Sequence, residues 1–164
     1  MILGDVMKQS NWKTYAMWIA LTEAVGILSG LLSRSATAAF GETALQSPLS
    51  PPPIVFPIVW TILYALMGIS AARVSLTPAS RQRSKNLNIF VAQLIVNFFW
   101  SLIFFNAGAY GFALIWLIML WILVLWMILS FRKSDTPAAL LQLPYLIWLT
   151  FAAYLNYAVW MLNK

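Results

Sequence analysis

The chain predicts an all-α integral membrane bundle of five transmembrane helices. Three observations carry that prediction. First, 62% of the 164 residues are apolar and only 9% are charged, whereas a globular domain carries about 25% charge. Second, apolar runs of about 20 residues recur, the length at which a helix crosses a hydrocarbon core. Third, Lys and Arg gather in the short segments between those runs. A soluble fold of this size could not hide so much apolar surface, so lipid is the expected solvent and a lipid bilayer the expected partner.

The chain opens on a polar lead carrying Lys8 and Lys13. The apolar run after it contains Glu23 and lacks a clear small-residue cleavage site, so it reads as a first span over 15–32 rather than a cleaved signal. Gly26 and Gly30 within it form a small-xxx-small pair suited to close helix packing. A long first loop is expected over 33–54, rich in Ala, Ser, Thr and Pro, and longer than a passive connector. Pro51, Pro52 and Pro53 then lead into a second span over 55–74. Proline suits that position because a first helical turn leaves its N–H groups unpaired anyway.

A basic segment with Arg73, Arg81, Arg83 and Lys85 follows. From Asn86 to Phe131 there is no charge, a length right for two spans. The glycines of Asn106–Gly111 mark the break, giving spans over 89–105 and 112–131. Arg132, Lys133 and Asp135 close the fourth, and the fifth is expected over 138–162. Together they form a single five-helix transmembrane domain over residues 1–164. Lys8, Lys13, Arg73, Arg81, Arg83, Lys85, Arg132 and Lys133 fall on one side, against Arg34 and Lys164 on the other. By the positive-inside rule, the amino terminus faces the cytoplasm of a cytoplasmic membrane, with the first loop and carboxyl end outside. Read this way, the charge of +6 is a topology signal, and nucleic acid is not an expected partner.

The chain has no cysteine and no histidine, and only four acidic residues. That leaves no thiol nucleophile, no imidazole base and no material for a multi-carboxylate metal site. The chemistry on offer is aromatic and amide. Of the nine tryptophans, Trp12, Trp18 and Trp160 sit near span ends and read as interfacial anchors. Trp116, Trp121 and Trp126 recur every five residues, which spreads them around a helix and favours lipid contact. Trp60, Trp100 and Trp148 have polar company. Gln93, Asn97 and Trp100 follow i, i+4, i+7 spacing and share a face. That face should point into the bundle, either as inter-helix hydrogen bonding or as a pocket for a flat apolar ligand. Trp60, Tyr64, Met67 and Gly68 give the second span a face of aromatic and small residues, and Tyr145, Asn156 and Tyr157 accompany Trp148. Glu23 is the one carboxylate inside a span, a candidate for coupling protons to export of a small molecule.

Pro51-Pro52, Val55-Phe56, Val59-Trp60-Thr61, Leu63-Tyr64 and Met67-Gly68 resemble the second-helix signature of the translocator protein family. That family is also known as tryptophan-rich sensory protein or peripheral-type benzodiazepine receptor. Gln93-Leu94, Asn97, Trp100-Ser101 and Phe104-Phe105 resemble its third helix. Pro144-Tyr145-Leu146, Trp148, Phe151-Ala152, Leu155-Asn156 and Trp160 resemble its fifth. The resemblance implies a five-helix bundle, usually a homodimer, whose pocket opens toward the first-loop side. It implies a receptor or carrier for porphyrins such as protoporphyrin IX, for sterols and for benzodiazepine-type ligands, with no resident cofactor. It also implies light-dependent tetrapyrrole degradation as an alternative activity, with Trp60 and Trp148 as the reactive candidates. Pro51, Pro52, Trp100, Ala152 and Leu155 are implied as pocket residues beside Trp60, Tyr64, Gln93, Asn97, Tyr145 and Trp148. The sequence departs from the family at Leu49 and Ile54, where tryptophans are usual, and at Gln46-Ser47, where lysine-proline is. It departs again at Phe112, Trp116 and Met161, where tryptophan, aspartate and arginine are common. The last change leaves the sterol-recognition pattern incomplete.

Overall fold

The computed structural model describes the backbone of residues 2–164 and the side chains from Asn11 on. Lys8, counted in the charge tally, lies outside the described side chains. Helix α1 covers Ile2–Thr43, α2 Val55–Ser75, α3 Arg81–Ser101, α4 Tyr110–Phe131, α5 Thr136–Leu140 and α6 Leu143–Leu162. A π-helical turn over Leu102–Asn106 continues α3. Among the described residues, five helical segments are long and apolar enough to cross a membrane, with Thr136–Leu162 as the fifth.

Three boundaries differ from the sequence expectation. α1 does not stop near residue 32 but runs to Thr43, so the first loop is 44–54 rather than 33–54. The added stretch is rich in alanine, the strongest helix former, and Phe40 anchors it. The Phe40 ring meets Phe104, Phe105 and Tyr110 with centroids 5.3, 5.4 and 6.1 Å away. The third helix begins at Arg81 rather than 89, because Ser80 caps it by accepting the Arg83 N–H at 3.1 Å. The fifth span is interrupted at Leu141–Gln142, just before Pro144, which cannot donate into a preceding turn.

Trp116 and Trp121 also differ from expectation. Both are half-buried, and each indole N–H crosses to a neighbouring helix: Trp116 to the Val96 carbonyl at 2.8 Å, Trp121 to Thr150 Oγ1 at 2.9 Å. Trp126 is the exposed one, with Lys85 Nζ 5.5 Å from its ring centroid.

Helices α1 and α2 form the closest pair. Thr22 Oγ1 donates to the Tyr64 carbonyl at 2.8 Å. A Cβ on Gly68 would sit 2.5 Å from Ile19 Cα, and one on Gly26 would overlap the Tyr64 ring. α2 meets α5 through Ser70 Oγ, which donates to the Ala138 carbonyl at 2.7 Å. Arg73 pairs there with Asp135 through two hydrogen bonds of 3.0 and 3.1 Å. α4 lies between α3 and α6, holding α6 where Asn156 Nδ2 donates to the Tyr110 carbonyl at 2.8 Å. The first loop folds onto the end of α6: Leu45 exchanges hydrogen bonds with the Asn163 amide, both 2.9 Å.

Two predictions follow from the packing and the cap. Gly68→Ala should lower thermal stability in detergent by about 1–3 kcal/mol, because α1 backbone occupies the space. Gly30→Ala, where a Cβ meets open space, should be neutral or slightly stabilising. Asp135 also caps α5 by accepting the Ala138 N–H at 2.7 Å. Partial burial works to raise its pKa, but the bonds from Arg73 and Ala138 and the Arg73 charge outweigh that and lower it. Its contribution is therefore full above the ordinary aspartate value of about 3.9 and is lost as pH falls through the lower folded value. Asp135→Asn, which can still cap, should lower the midpoint of thermal unfolding at pH 6 and lose that acid-side decline.

Candidate ligand-binding site

The second span supplies the aromatic wall on which the candidate site is built. Trp60 lies tilted over Tyr64, centroids 5.5 Å apart, and meets the edge of Tyr145 at 6.2 Å. These rings come together because Trp60 and Tyr64 are one turn apart on α2, while Tyr145 faces inward from the first turn of α6. Tyr145 is 1% exposed. Its hydroxyl accepts the Asn97 Nδ2–H at 2.7 Å, so α3 and α6 meet at one buried neutral hydrogen bond. Gln93, one turn before Asn97, is fully buried.

Trp148 stands outside this cluster. Its ring packs against Phe56 at 5.9 Å and Phe151 at 5.7 Å, and it lines an apolar groove of about 530 Å³ between α2 and α6. Val59, Ile62 and Leu63 form one wall; Pro144, Ile147, Trp148 and Phe151 form the other. The rim residues Ile62 and Ile147 are 55% and 69% exposed, so the groove opens sideways, toward the surface that lipid covers. Trp60 sits between Val59 and Leu63 in the chain and joins the groove wall to the inner cluster.

The remaining expected residues lie elsewhere. Trp100 stacks on Phe104, centroids 5.1 Å apart, and donates its indole N–H to Asn156 Oδ1 at 3.3 Å. It therefore belongs to the α3–α6 contact near the π turn. Leu155 is buried and Ala152 half-buried, with Ala152 packed against the core. Pro51 is half-buried and Pro52 exposed at the start of α2, where the Pro52 carbonyl accepts the Val55 N–H at 2.9 Å. Glu23 is partly buried on α1, next to the Thr22 that bonds α2. Sequence reasoning named Trp148 but missed its companions on the groove walls. The signal was present as apolar spacing of i, i+3, i+4, i+7 at Pro144, Ile147, Trp148 and Phe151, and of i, i+3, i+4 at Val59, Ile62 and Leu63.

The Asn97–Tyr145 bond gives a direct prediction. Tyr145→Phe removes the acceptor and leaves a buried amide unpaired, which should lower stability by about 1–3 kcal/mol. Thermal unfolding of the detergent-solubilised protein checks it. Tyr157→Phe, at a residue 50% exposed, should change little.

Comparison with known proteins matches this arrangement. The sequence profile of the TspO/MBR family covers residues 18–161, which reaches into all five spans. The chain is 34% identical over 157 residues to the tryptophan-rich protein TspO of Chlorobaculum tepidum, covering 92% of this chain and 96% of that one. It is 39% identical over 114 residues to the tryptophan-rich sensory protein of Cereibacter sphaeroides, covering 70% of each. It is 33% identical over 121 residues to the translocator protein of Ovis aries, covering 73% of this chain and 72% of that one. Five apolar helices, an inward aromatic and amide face, and these matches make the chain an integral membrane protein of the TspO/MBR family.

Proposed function

We propose that this protein is a membrane receptor or carrier for a flat hydrophobic ligand, a porphyrin such as protoporphyrin IX. The observation that carries the reading is the groove between α2 and α6. At about 530 Å³ it falls within the roughly 300–1,000 Å³ usual for small-molecule sites, and one wall is the Trp148 ring. Indole faces offer offset stacking to a planar π-system, worth about 0.5–1.5 kcal/mol per pair beyond area burial. Trp60, Tyr64, Asn97 and Tyr145 do not line the groove but pack as a cluster behind its inner end, and Gln93 is buried one turn from Asn97. Pro51, Pro52, Trp100, Ala152 and Leu155 complete the family's expected contact set from farther off. The proposed setting is a homodimer in a cytoplasmic membrane. Arg73, Arg81, Arg83, Lys85, Arg132 and Lys133 all sit at the end where α2 and α4 finish and α3 begins, which supports placing that end in the cytoplasm.

Quenching of intrinsic tryptophan fluorescence by protoporphyrin IX tests the reading. Trp148→Ala should weaken binding about tenfold, the size of one lost stacking partner with its buried area. Trp148→Phe should recover part of it, and Trp126→Ala, away from the groove, should not alter affinity. Equal affinity in all three variants would sink the assignment.

The placement of Trp148 on the groove wall also favours the second reading, photo-oxidative degradation of a bound tetrapyrrole. Under illumination in air, the porphyrin absorbance of the complex should fall faster than that of free porphyrin, and Trp148→Phe should slow it. Loss at the free-porphyrin rate rejects this reading and leaves the receptor reading intact.

A further inference from the structure

Gln93 on α3 and Gln142 at the break between α5 and α6 are both 0% exposed. Neither the amide nitrogen nor the oxygen of either finds a hydrogen-bond partner among the described residues. A buried polar group left unpaired costs about 1–3 kcal/mol, and the lipid around this bundle has nothing to offer in exchange. Buried side-chain polar atoms in proteins are nearly always satisfied, by protein or by ordered water. Four unsatisfied atoms on two amides therefore point to a guest.

The register of the helices places the two amides at a similar depth. Asn86 Nδ2 donates to Ser134 Oγ at 3.0 Å, and Asn97 Nδ2 donates to Tyr145 Oη at 2.7 Å. Both bonds join residues 48 apart in sequence, so α3 and the α5–α6 segment run parallel between them. Gln93 precedes Asn97 by one turn, and Gln142 precedes Tyr145 by one turn. At about 1.5 Å of rise per residue, the two glutamines lie at nearly the same depth, just below the Asn97–Tyr145 bond. Gln93 shares the α3 face of Asn97, and Gln142, whose carbonyl accepts the Leu146 N–H at 3.1 Å, opens the turn that carries Tyr145.

The chemistry of the guest follows from the surroundings. α3 from Asn86, α4, the chain from Thr136 to Asn163 and α2 before Arg73 carry no charged residue, and the one charge that α1 brings between Lys13 and Arg34 is an acid, Glu23. A carboxylate at this depth would meet no cation, and its desolvation would go uncompensated. Two carboxamides present two carbonyl acceptors and two NH₂ donors. That set matches a neutral group that both donates and accepts.

We propose that Gln93 and Gln142 form a buried subsite for a small neutral guest with both hydrogen-bond donors and acceptors. The source is either water that enters the bundle or the uncharged polar end of an apolar ligand lodged in the groove. The ligand arm rests on the groove reading above, whereas the water arm does not, so the two fail separately.

The test uses the full chain in lipid nanodiscs. With nitrogen-15 glutamine labelling, magnetisation transfer from water should reach two side-chain amides, assigned by their loss in Gln93→Met and Gln142→Met. Naphthalene-2-carboxamide and its N,N-dimethyl derivative, titrated against tryptophan fluorescence, distinguish the sources. If the ligand's polar end enters, the primary amide binds roughly tenfold tighter, and Gln142→Met abolishes that advantage. If water alone occupies the subsite, the transfer is seen and the two probes bind alike. No transfer together with no primary-amide advantage overturns the proposal. So does a direct hydrogen bond between the Gln93 and Gln142 amides in a high-resolution structure.

Discussion

Helices surrounded by lipid gain little from burying apolar side chains against each other, since the acyl chains they displace are just as apolar. What holds this bundle in one arrangement is a set of polar side chains that reach across to a neighbour's backbone. Thr22 binds the Tyr64 carbonyl, Ser70 the Ala138 carbonyl, Trp116 the Val96 carbonyl and Asn156 the Tyr110 carbonyl, all at 2.7–2.8 Å. A helical carbonyl keeps a second lone pair after accepting its own i+4 bond, so three of these bonds are added without breaking the ladder; the Ala138 carbonyl lies at the α5–α6 break, where the Gln142 N–H goes to Ala139 instead. Together they join α1 to α2, α2 to α5, α3 to α4 and α4 to α6. Small residues then let the backbones close in, as Gly68 does against Ile19.

That frame decides which aromatic rings face inward. The break at Leu141–Gln142 restarts the fifth span just before Tyr145, and the Arg73–Asp135 pair fixes α5 against the end of α2. Tyr145 is thereby held between Trp60 and Asn97. Trp148, three positions further on, falls on the side that looks at α2 across the groove. One helix thus contributes a ring to the inner cluster and another to the groove wall. The π turn does the equivalent for α3. The extra residue in its turn carries Phe104 and Phe105 under Phe40, and this contact lets α1 continue to Thr43.

The number of spans and their order were legible because runs without charge and the basic segments between them leave no other division. The inward face of α3 was legible too: Gln93 and Asn97 share a helical face, and amides in an apolar helix have to turn away from lipid. The end of α1 was not, because Ser, Thr and Gly after Arg34 resemble a loop, and only Phe40 meeting residues some sixty to seventy positions later makes them a helix. Nor was the part taken by Trp116 and Trp121. A period of five predicts scatter around the helix, yet an indole N–H seeks an acceptor, and carbonyl or hydroxyl groups on α3 and α6 lay within reach. Trp100 shared a face with Asn97 as read, but its indole N–H went to Asn156 and its ring to Phe104 of the π turn rather than to the Trp60 cluster.

The sideways opening of the groove bears on how a ligand of the proposed kind would arrive. The family resemblance points to an opening on the first-loop side, but here the first loop is short and tied down. Leu45 is bonded to Asn163, and Ser47 shares a hydrogen bond of 3.3 Å with Tyr154. The gap between α2 and α6 stays open to the side, with Ile62 and Ile147 at its edge. Those residues already face hydrocarbon, so a flat apolar molecule dissolved in the bilayer exchanges one apolar contact for another until it meets Trp148. Affinity then has to come from stacking on the indole and from whatever hydrogen bonds the inner end provides, because transfer from lipid into an apolar groove contributes almost nothing by itself.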